Sequence, residues 1–496
     1  METLDWLVIG IFFLALIGII VWVVKQKQND SADYFLGGRD ATWLAIGASI
    51  FASNIGSEHL IGLAGAGASS GMAMAHWEIQ GWMILILGWV FVPFYSRSMV
   101  FTMPEFLERR YNPQSRTILS VISLISYVLT KVAVTVYAGG LVFQQVFGIK
   151  ELWGIDFFWI AAIGLVVLTA LYTIFGGMKS VLYTSVLQTP ILLLGSLIIL
   201  VLGFKELGGW DEMMRVCGAV TVNDYGDTMT NLIRSNDDAN FPWLGALIGS
   251  AIIGFWYWCT DQFIVQRVLS GKNEMEARRG TIFGAYLKLL PVFLFLIPGM
   301  IAFALHQKYI GAGGEGFLPM LENGTANADA AFPTLVAKLL PAGVKGLVVC
   351  GILAALMSSL ASLFNSSAML FTIDFYKRFR PQTSEKKLVG IGQVATVVIV
   401  ILGILWIPIM RSVGDVLYTY LQDVQSVLAP GIAAAFLLGI CWKRTSAQGG
   451  MWGLISGMVI GLTRLGAKVY YSNAGEVADS TFKYLFYDMN WLFFCG

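Results

Sequence analysis

The stretch "SIFASNIGSEHLIGLAG", residues 49–65, begins and ends like an apolar membrane helix, but its middle is polar. Backbone groups in hydrocarbon must find hydrogen-bond partners, so such an interruption persists only where it lines a cavity or is buried in protein. Close helix packing would explain the small residues Ser53 and Gly56, but it does not explain Glu58 and His59. We therefore interpret this stretch as a broken helix that binds an ion or a polar ligand.

The composition of the chain indicates that a lipid bilayer surrounds it. Hydrophobic residues make up 57% of the sequence, charged residues 13%, and the net charge is +1. Soluble domains carry about 25% charged residues. Apolar runs of the length that crosses a bilayer, about 20 residues, recur along the whole chain. These features predict an all-α polytopic membrane protein, and we expect its first span to be retained rather than cleaved as a signal peptide.

The charges of the connecting loops predict the orientation in the cell membrane. Basic connections, such as 97–116 and "KRFRPQTSEKK" (377–387), alternate with acidic or neutral ones such as 204–240. Cytoplasmic loops collect Lys and Arg, so we expect the N-terminus and the loop 204–240 to lie outside. The basic runs are then cytoplasmic anchors, and they predict no nucleic-acid partner.

A second polar interruption follows five predicted spans after the first. It is "GFWYWCTDQFIVQR" (254–267), with Thr260, Asp261 and Gln262 in the middle of an apolar span. Irregular segments at matching positions in two halves of a chain are typical of transporters built from inverted repeats. An odd number of spans per repeat would invert one half relative to the other.

Ionisable and hydroxyl residues also lie within apolar spans. Charges at this depth cost several kcal/mol unless they are paired, and they mark binding sites or pathways. Glu78 and Lys288 have opposite signs and could pair around a shared polar ligand, whereas Lys131 is equally compatible with a snorkelling side chain. Ser358 and Ser359 offer the neutral oxygens that a hard cation prefers, although serines in helices often bond their own backbone.

The sequence gives little support for an enzymatic function. "GAGGEG" (311–316) and "GASSG" (67–71) match nucleotide-binding and hydrolase patterns by letters alone, because neither lies between a predicted strand and a helix. The three histidines show no metal-ligand spacing on one helix. We therefore predict that the protein is not an enzyme.

Longer stretches resemble the sodium/glucose cotransporters of the sodium–solute symporter family over nearly the whole chain. Besides the two interruptions, those that carry the resemblance include "DYFLGGRD" (33–40), "TMPEFLERRY" (102–111), "YTIFGGMKSVLYTSVLQT" (172–189), "YLKLLPVF" (286–293), "ALMSSLASLFNSS" (355–367) and "CWKRT" (441–445).

The resemblance implies a five-plus-five inverted repeat, the LeuT-like fold, with additional helices at both ends. Residues 1–30 would form an extra N-terminal transmembrane helix and 41–203 the first repeat. The extracellular loop 204–240 would precede the second, inverted repeat at 241–440. Residues 441–496 would form C-terminal helices, and we expect the last of these to be incomplete.

The resemblance also implies residue roles at two sites and two gates. The sodium ion, the expected cofactor, would bind the carbonyls of Ala52, Ile55 and Ala355 and the hydroxyls of Ser358 and Ser359. The sugar would contact Asn54, His59, Glu78, Trp258, Lys288 and Gln422. Tyr257 would close the inner side, and Leu63, Trp77 and Tyr418 the outer side.

Three residues depart from the family pattern. Ser185 stands where most members carry Asp, which puts a second cation site in doubt. Gly254 replaces a hydroxyl residue of animal sugar carriers. Trp77 stands where glucose carriers often have Phe and inositol carriers often have Trp.

The function that the resemblance implies is uptake of a monosaccharide such as glucose or galactose, driven by inward sodium flow through alternating access. The choice among glucose, galactose and myo-inositol or another polyol stays open. Proton coupling through Glu58 or Glu78 and a non-transporting sugar sensor or channel are further alternatives.

Overall fold

The computed structural model describes residues 1–496 except residues 27, 29, 57, 322–323, 414–416, 474–479 and 496. Within its helices, the side chains of residues 58, 129–130, 145, 409–413, 417–424, 469, 472–473 and 491 also lie outside the description.

Long apolar helices dominate the described residues, as the composition predicts. Seven helical segments are long and apolar enough to cross a membrane: Thr3–Lys25, His59–Ser98, Phe157–Leu207, Trp243–Thr260, Glu274–Gly311, Val344–Phe379 and Glu385–Pro408. Three shorter apolar helices are Trp43–Asn54, Ala133–Gln144 and Gln425–Cys441. The result agrees with a polytopic membrane protein.

Two of the long segments change direction at a glycine in the left-handed region of backbone space. Gly71 has a φ of 75° and Gly177 a φ of 53°. A Cβ atom would overlap a carbonyl oxygen at both positions, that of Met229 at Gly71 and that of Tyr34 at Gly177. Only glycine combines this φ with such a close approach, so one helix ends before Gly71 and the helix Phe157–Leu207 kinks at Gly177.

The N-terminal half contains the first of the two interrupted spans. Its α-helices are Thr3–Lys25, Ser31–Leu36, Trp43–Asn54, Ala64–Ser70, His76–Ile79, Met83–Ile86, Val92–Ser98, Met103–Arg110, Pro113–Ser126, Ala133–Phe147, Phe157–Leu207 and Trp210–Gly218. Single π-helical turns lie at Glu58–Leu63, Leu87–Phe91 and Tyr127–Val132. A two-stranded antiparallel hairpin pairs Glu151–Leu152 with Ile155–Asp156.

The C-terminal half contains the second interruption. Its α-helices are Trp243–Phe255, Gln262–Leu269, Glu274–Leu287, Ile297–Gly311, Ala331–Leu339, Val344–Met369, Lys377–Phe379, Glu385–Val413, Leu417–Cys441, Ala447–Asn473, Thr481–Lys483 and Trp491–Cys495. Its π-helical turns lie at Trp256–Thr260, Val292–Leu296, Leu370–Tyr376 and Tyr484–Asp488.

The two polar interruptions are helix breaks, as the sequence predicts. Helix Trp43–Asn54 stops at Ile55, which has φ −78° and ψ 93°, and π-helical geometry resumes at Glu58. In the other half, the turn Trp256–Thr260 stops at Asp261, with φ −74° and ψ 127°. The Asp261 carboxylate then accepts the backbone N–H of Phe263 and caps the next helix. We call these the first and second broken helices.

Helix Val344–Met369, which we call the serine helix, packs at the centre of the protein. Small residues let it approach helix Phe157–Leu207 closely, since a Cβ at Gly195 would lie 3.3 Å from the Cα of Val348 and one at Gly351 3.3 Å from the Cα of Leu192. Such small-residue contacts are how membrane helices associate. The serine helix thereby lies against both the long helix and the first broken helix.

Helix Ile297–Gly311 packs closely against helix Ala64–Ser70, and this contact can be tested. A Cβ at Gly299 would overlap the carbonyl oxygen of Ala64, so Gly299→Ala should lower the free energy of unfolding by about 1–3 kcal/mol through overpacking. Gly164→Ala is the control, because nothing lies within 4 Å of its added Cβ. Melting temperatures in detergent would measure both variants, and equal values for the two would contradict this packing.

Candidate ion and substrate site

A small polar cavity lies between the two broken helices. It encloses about 60 Å³ of solvent-sized space, enough for a few waters at about 10–15 Å³ each. Most of the predicted substrate and gate residues line it together with Ser359, namely Asn54, His59, Trp77, Glu78, Tyr257, Trp258 and Lys288. Gln80, Lys131 and Gln425 are among the further lining residues. The side chains of Gln422 and Tyr418 lie outside the described residues.

Glu78 and Lys288 form a buried ion pair, which confirms the pairing predicted from their charges. Lys288 Nζ lies 2.6 Å from Glu78 Oε2 and 2.8 Å from His59 Nε2. His59 Nε2 is also 3.2 Å from Glu78 Oε1. Gly81 makes room for the lysine, because a Cβ there would lie 2.6 Å from Lys288 Cγ. The cavity wall thus holds two charges of opposite sign that neutralise each other.

The imidazole of His59 can take either of two roles in this group. Its Nε2 can accept a hydrogen bond from Lys288 or donate one to Glu78, but a single nitrogen cannot do both at once. Its Nδ1 is buried and has no partner among the described residues. A ligand hydroxyl, which both donates and accepts, can pair with either tautomer.

Other buried polar atoms at the cavity also lack partners among the described residues. They are Asn54 Oδ1 and Gln80 Oε1. Native proteins leave few buried polar groups unpaired, so such atoms in a cavity suit a polar ligand. Gln80 was not predicted as a cavity residue, because in the sequence an amide among aromatic residues resembles a side chain at the membrane–water interface. Its Oε1 occupies space that Gly254 provides, since a Cβ there would come within 2.7 Å of it.

Tyr257 joins the two broken helices on one side of the cavity. Its hydroxyl accepts a hydrogen bond of 3.0 Å from Asn54 Nδ2. Its ring packs edge-on against Trp258, with ring centroids 4.9 Å apart. Trp258 in turn lies 5.6 Å from Lys288 Nζ, within cation–π distance. The predicted inner gate therefore bonds directly to the first broken helix.

Lys131 is a buried, paired lysine. Its Nζ lies 2.6 Å from Asp261 Oδ2, and the Tyr127 hydroxyl donates to the other carboxylate oxygen. The Tyr257 ring centroid is 4.7 Å from the ammonium. The side-chain exposures of 9% and 2% for the lysine and the aspartate exclude a snorkelling lysine. This pair fixes the start of the helix after the second break.

Two of the predicted sodium ligands, Ser358 and Ser359, contact the first broken helix at Ser53. Ser359 donates a hydrogen bond of 2.8 Å to the carbonyl oxygen of Ser53, and Ser358 Oγ lies 3.3 Å from Ser53 Oγ. Ala355 stands three and four residues before these serines, so all three share a face of the serine helix. Ala52 and Ile55 are buried in the last turn of Trp43–Asn54 and at its end, where carbonyl groups lose their helical partners.

The predicted outer-gate residues that the structure describes are buried. Leu63 ends the π-helical turn of the first broken helix and is fully buried. Trp77 is buried at the cavity, and its ring stacks at a tilt on His76, with centroids 5.3 Å apart. Trp77 thus lines the cavity, whereas Leu63 is not among its lining residues.

Two broken helices around a polar cavity, with neutral oxygens beside it, define a secondary transporter of the LeuT-like class. The sequence model of the "Sodium:solute symporter family" matches residues 34–457. The chain therefore belongs to the sodium:solute symporter family, whose members couple transport to sodium.

Relatives and solved structures agree with this assignment. The chain is 39% identical to human "Sodium/myo-inositol cotransporter 2" over 479 residues, which covers 94% of this chain and 70% of the relative. It is 38% identical to rat "Sodium/glucose cotransporter 2", covering 99% and 75% of the two chains. The structure of a Na⁺-coupled sialic acid symporter superposes with a TM-score of 0.78 at 22% identity, covering 100% and 94% of the two chains. At 22% identity, this structural similarity shows that the two proteins share a fold.

The Lys131–Asp261 pair gives a testable consequence. In Asp261→Asn the amide can still cap the helix, but Lys131 loses the carboxylate that neutralises it, and breaking a buried pair costs about 3–5 kcal/mol. We expect a clear loss of melting temperature in detergent. The double variant Asp261→Asn/Lys131→Met should recover much of that loss because it removes both charges. A double variant no more stable than Asp261→Asn would contradict this role of the pair.

Proposed function

We propose that the protein takes up a monosaccharide of the glucose or galactose kind together with sodium. The observation that carries this proposal is the position of two neighbouring residues on the first broken helix. Ser53 bonds to Ser359 at the predicted sodium site, and Asn54 bonds to Tyr257 at the cavity. Ligands at the two sites therefore bias the same helix end, which is the physical basis of coupling.

Sodium from outside would bind first between the broken helix and the serine helix. It would be held by the carbonyls of Ala52, Ile55 and Ala355 and the hydroxyls of Ser358 and Ser359. The hydrogen bond from Ser359 to the Ser53 carbonyl already brings these elements together. Sodium would replace this contact by direct coordination and order the end of the helix, and with it Asn54.

The sugar would then bind in the ordered cavity. Glu78 and Lys288 supply an acceptor and a donor on the same wall, and His59 supplies either. Trp258 offers an aromatic face for the apolar side of the ring, and Asn54 and Gln422 complete the predicted set. With about 60 Å³ of solvent-sized space, the cavity must widen by side-chain movement, and Tyr257 at its edge is the side chain that would move for release.

The outer side would be closed by Leu63, Trp77 and Tyr418 once the sugar is bound. The two five-helix repeats, 41–203 and 241–440, would then rock against one another, as in alternating access. The helix 1–30, the loop 204–240 and the helices 441–496 would flank this core. The basic loops favour a plasma-membrane orientation with the N-terminus outside.

The sodium gradient is sufficient to drive such uptake. One sodium ion moving through 100 mV supplies about 2.3 kcal/mol, and a tenfold concentration gradient adds about 1.4 kcal/mol. At one sodium per sugar this supports an accumulation of roughly 500-fold. Transport of this kind breaks no covalent bond, and we propose no enzymatic reaction.

Myo-inositol is the second candidate substrate. Trp77 lies at the cavity, where the resemblance associates Trp with inositol carriers, and a cotransporter of that name is 39% identical to this chain. A cyclic polyol presents hydroxyls around its whole ring, so the same donors and acceptors can bind it.

Uptake into proteoliposomes tests the proposal. Labelled glucose should accumulate above equilibrium with an inward sodium gradient and should only equilibrate or stay outside with potassium. Ser359→Ala should raise the sodium concentration for half-maximal uptake at least about tenfold, which corresponds to about 1.4 kcal/mol of lost sodium binding. Ser367→Ala is the matched control, a buried serine of the same helix without a hydrogen-bond partner among the described residues.

Several results would contradict this function. Sodium-independent uptake that follows a pH gradient would indicate proton coupling through Glu58 or Glu78. A sugar-gated current without accumulation would indicate a channel or a sensor. Stronger competition by myo-inositol than by galactose would keep the sodium coupling and replace the substrate.

A further inference from the structure

Arg267 is a buried arginine that the transport mechanism does not use. Arg267 is 1% exposed and lies on helix Gln262–Leu269, which follows the second break directly. Its Nε donates a hydrogen bond of 3.1 Å to Ser49 Oγ. Its Nη2 is buried and has no partner among the described residues, while the Phe263 ring covers the guanidinium at 4.9 Å.

The charge of Arg267 is not matched by a carboxylate in contact with it. None of the ion pairs among the described residues includes it. Asp261, which caps this helix, attracts Arg267 electrostatically, but its carboxylate is in direct contact with Lys131 and with the Tyr127 hydroxyl. One carboxylate is thus shared by two buried cations, and a buried charge that is incompletely neutralised is unfavourable.

A row of hydroxyl groups extends from Arg267 towards the predicted sodium site. Ser49 Oγ lies 3.4 Å from Ser185 Oγ, which lies 3.2 Å from Ser358 Oγ. Both distances exceed the usual ~2.7–2.8 Å of O–H···O bonds. Ser185 donates its hydroxyl to the carbonyl oxygen of Val181 at 2.6 Å, so this hydroxyl must rotate away from its own helix to donate to a ligand. Gln188, three residues after Ser185, is also buried, and neither atom of its amide has a partner among the described residues.

We propose that chloride binds at Arg267, where it would replace the direct contact between Arg267 and Ser49 and accept hydrogen bonds from Nη2 and from the hydroxyls of Ser49 and Ser185. The guanidinium supplies the charge and an unused N–H donor, and the hydroxyls supply further donors. A second sodium ion is disfavoured here because it would lie beside a guanidinium that carries the same sign. The depth of burial selects a small monovalent anion over a larger carboxylate or phosphate.

Chloride at this position would also act on sodium binding. Ser358 belongs both to the hydroxyl chain and to the predicted sodium ligands, so the two ions would lie close together with opposite charges. Each ion then favours the other, since coupling between binding sites is reciprocal. This part of the inference rests on the proposed sodium site, whereas binding of chloride itself does not.

Melting of the purified protein in detergent tests chloride binding without any transport assay. At constant sodium, replacing gluconate by chloride should raise the melting temperature by about 2 °C or more in a saturable way. Ser185→Asp places a carboxylate next to Ser49 and should abolish the chloride-dependent rise. Ser185→Asn is the matched control, of similar size but uncharged, and should retain the rise.

A second carboxylate variant guards against misfolding of the first. Ser49→Asp puts the charge on the residue that already contacts Arg267 and should likewise remove the chloride dependence. A native protein that melts at the same temperature in both salts would overturn the proposal. Equal chloride effects in the native protein and in both carboxylate variants would also overturn it, because the effect would then arise elsewhere.

Transport measurements would then test the link to sodium. Without chloride, the sodium concentration for half-maximal sugar uptake should rise about fivefold, and in Ser185→Asp it should not depend on chloride. If melting depends on chloride but sugar is not taken up, the anion site stands and the proposed function fails. A sodium requirement that ignores chloride would overturn the coupling of the two ions.

Discussion

The structure depends on one constraint, which is that a peptide backbone surrounded by lipid must have its hydrogen bonds satisfied within the protein. A helix that stops at Ile55, within an otherwise apolar stretch, leaves carbonyl and N–H groups without helical partners. These groups must therefore face other helices or a polar cavity. The serine helix covers one side of the break through Ser359 and Ser53, and Tyr257 covers the other side through Asn54. The break, the cavity and the packing around it follow from the same requirement.

The polar interruptions could be predicted from the sequence because their signal is local. Asn54, Glu58 and His59 within an apolar span already imply a break, and the structure has one at Ile55. The pairing of Glu78 with Lys288 was also predictable, because two opposite charges within apolar spans find few other groups that could neutralise them. Both inferences rest on the cost of polar groups in lipid.

Contacts that depend on tertiary arrangement could not be predicted in this way. The partner of Lys131 is Asp261, 130 residues further along the chain. From the sequence, Lys131 could equally extend its side chain to the membrane–water interface without any partner. The place of Gln80 at the cavity depends on Gly254, although that glycine was noted only as a lost hydroxyl. The contact between Arg267 and Ser49 could not be predicted. Arg267 lies two residues before its helix ends at Leu269, so in the sequence it resembles the basic residues of the loop that follows.

The distribution of charge explains why a neutral sugar can be coupled to an ion. Glu78 with Lys288 and Lys131 with Asp261 form pairs that keep the cavity wall neutral. A sugar or polyol would bring no charge into such a cavity, so its binding there would depend on hydrogen bonds and on stacking against aromatic rings. Sodium is then the species on which the membrane potential acts. In the proposed mechanism the ion and the sugar would contact the same helix at adjacent residues, and the energy of the potential would then reach the sugar through the geometry of that helix end.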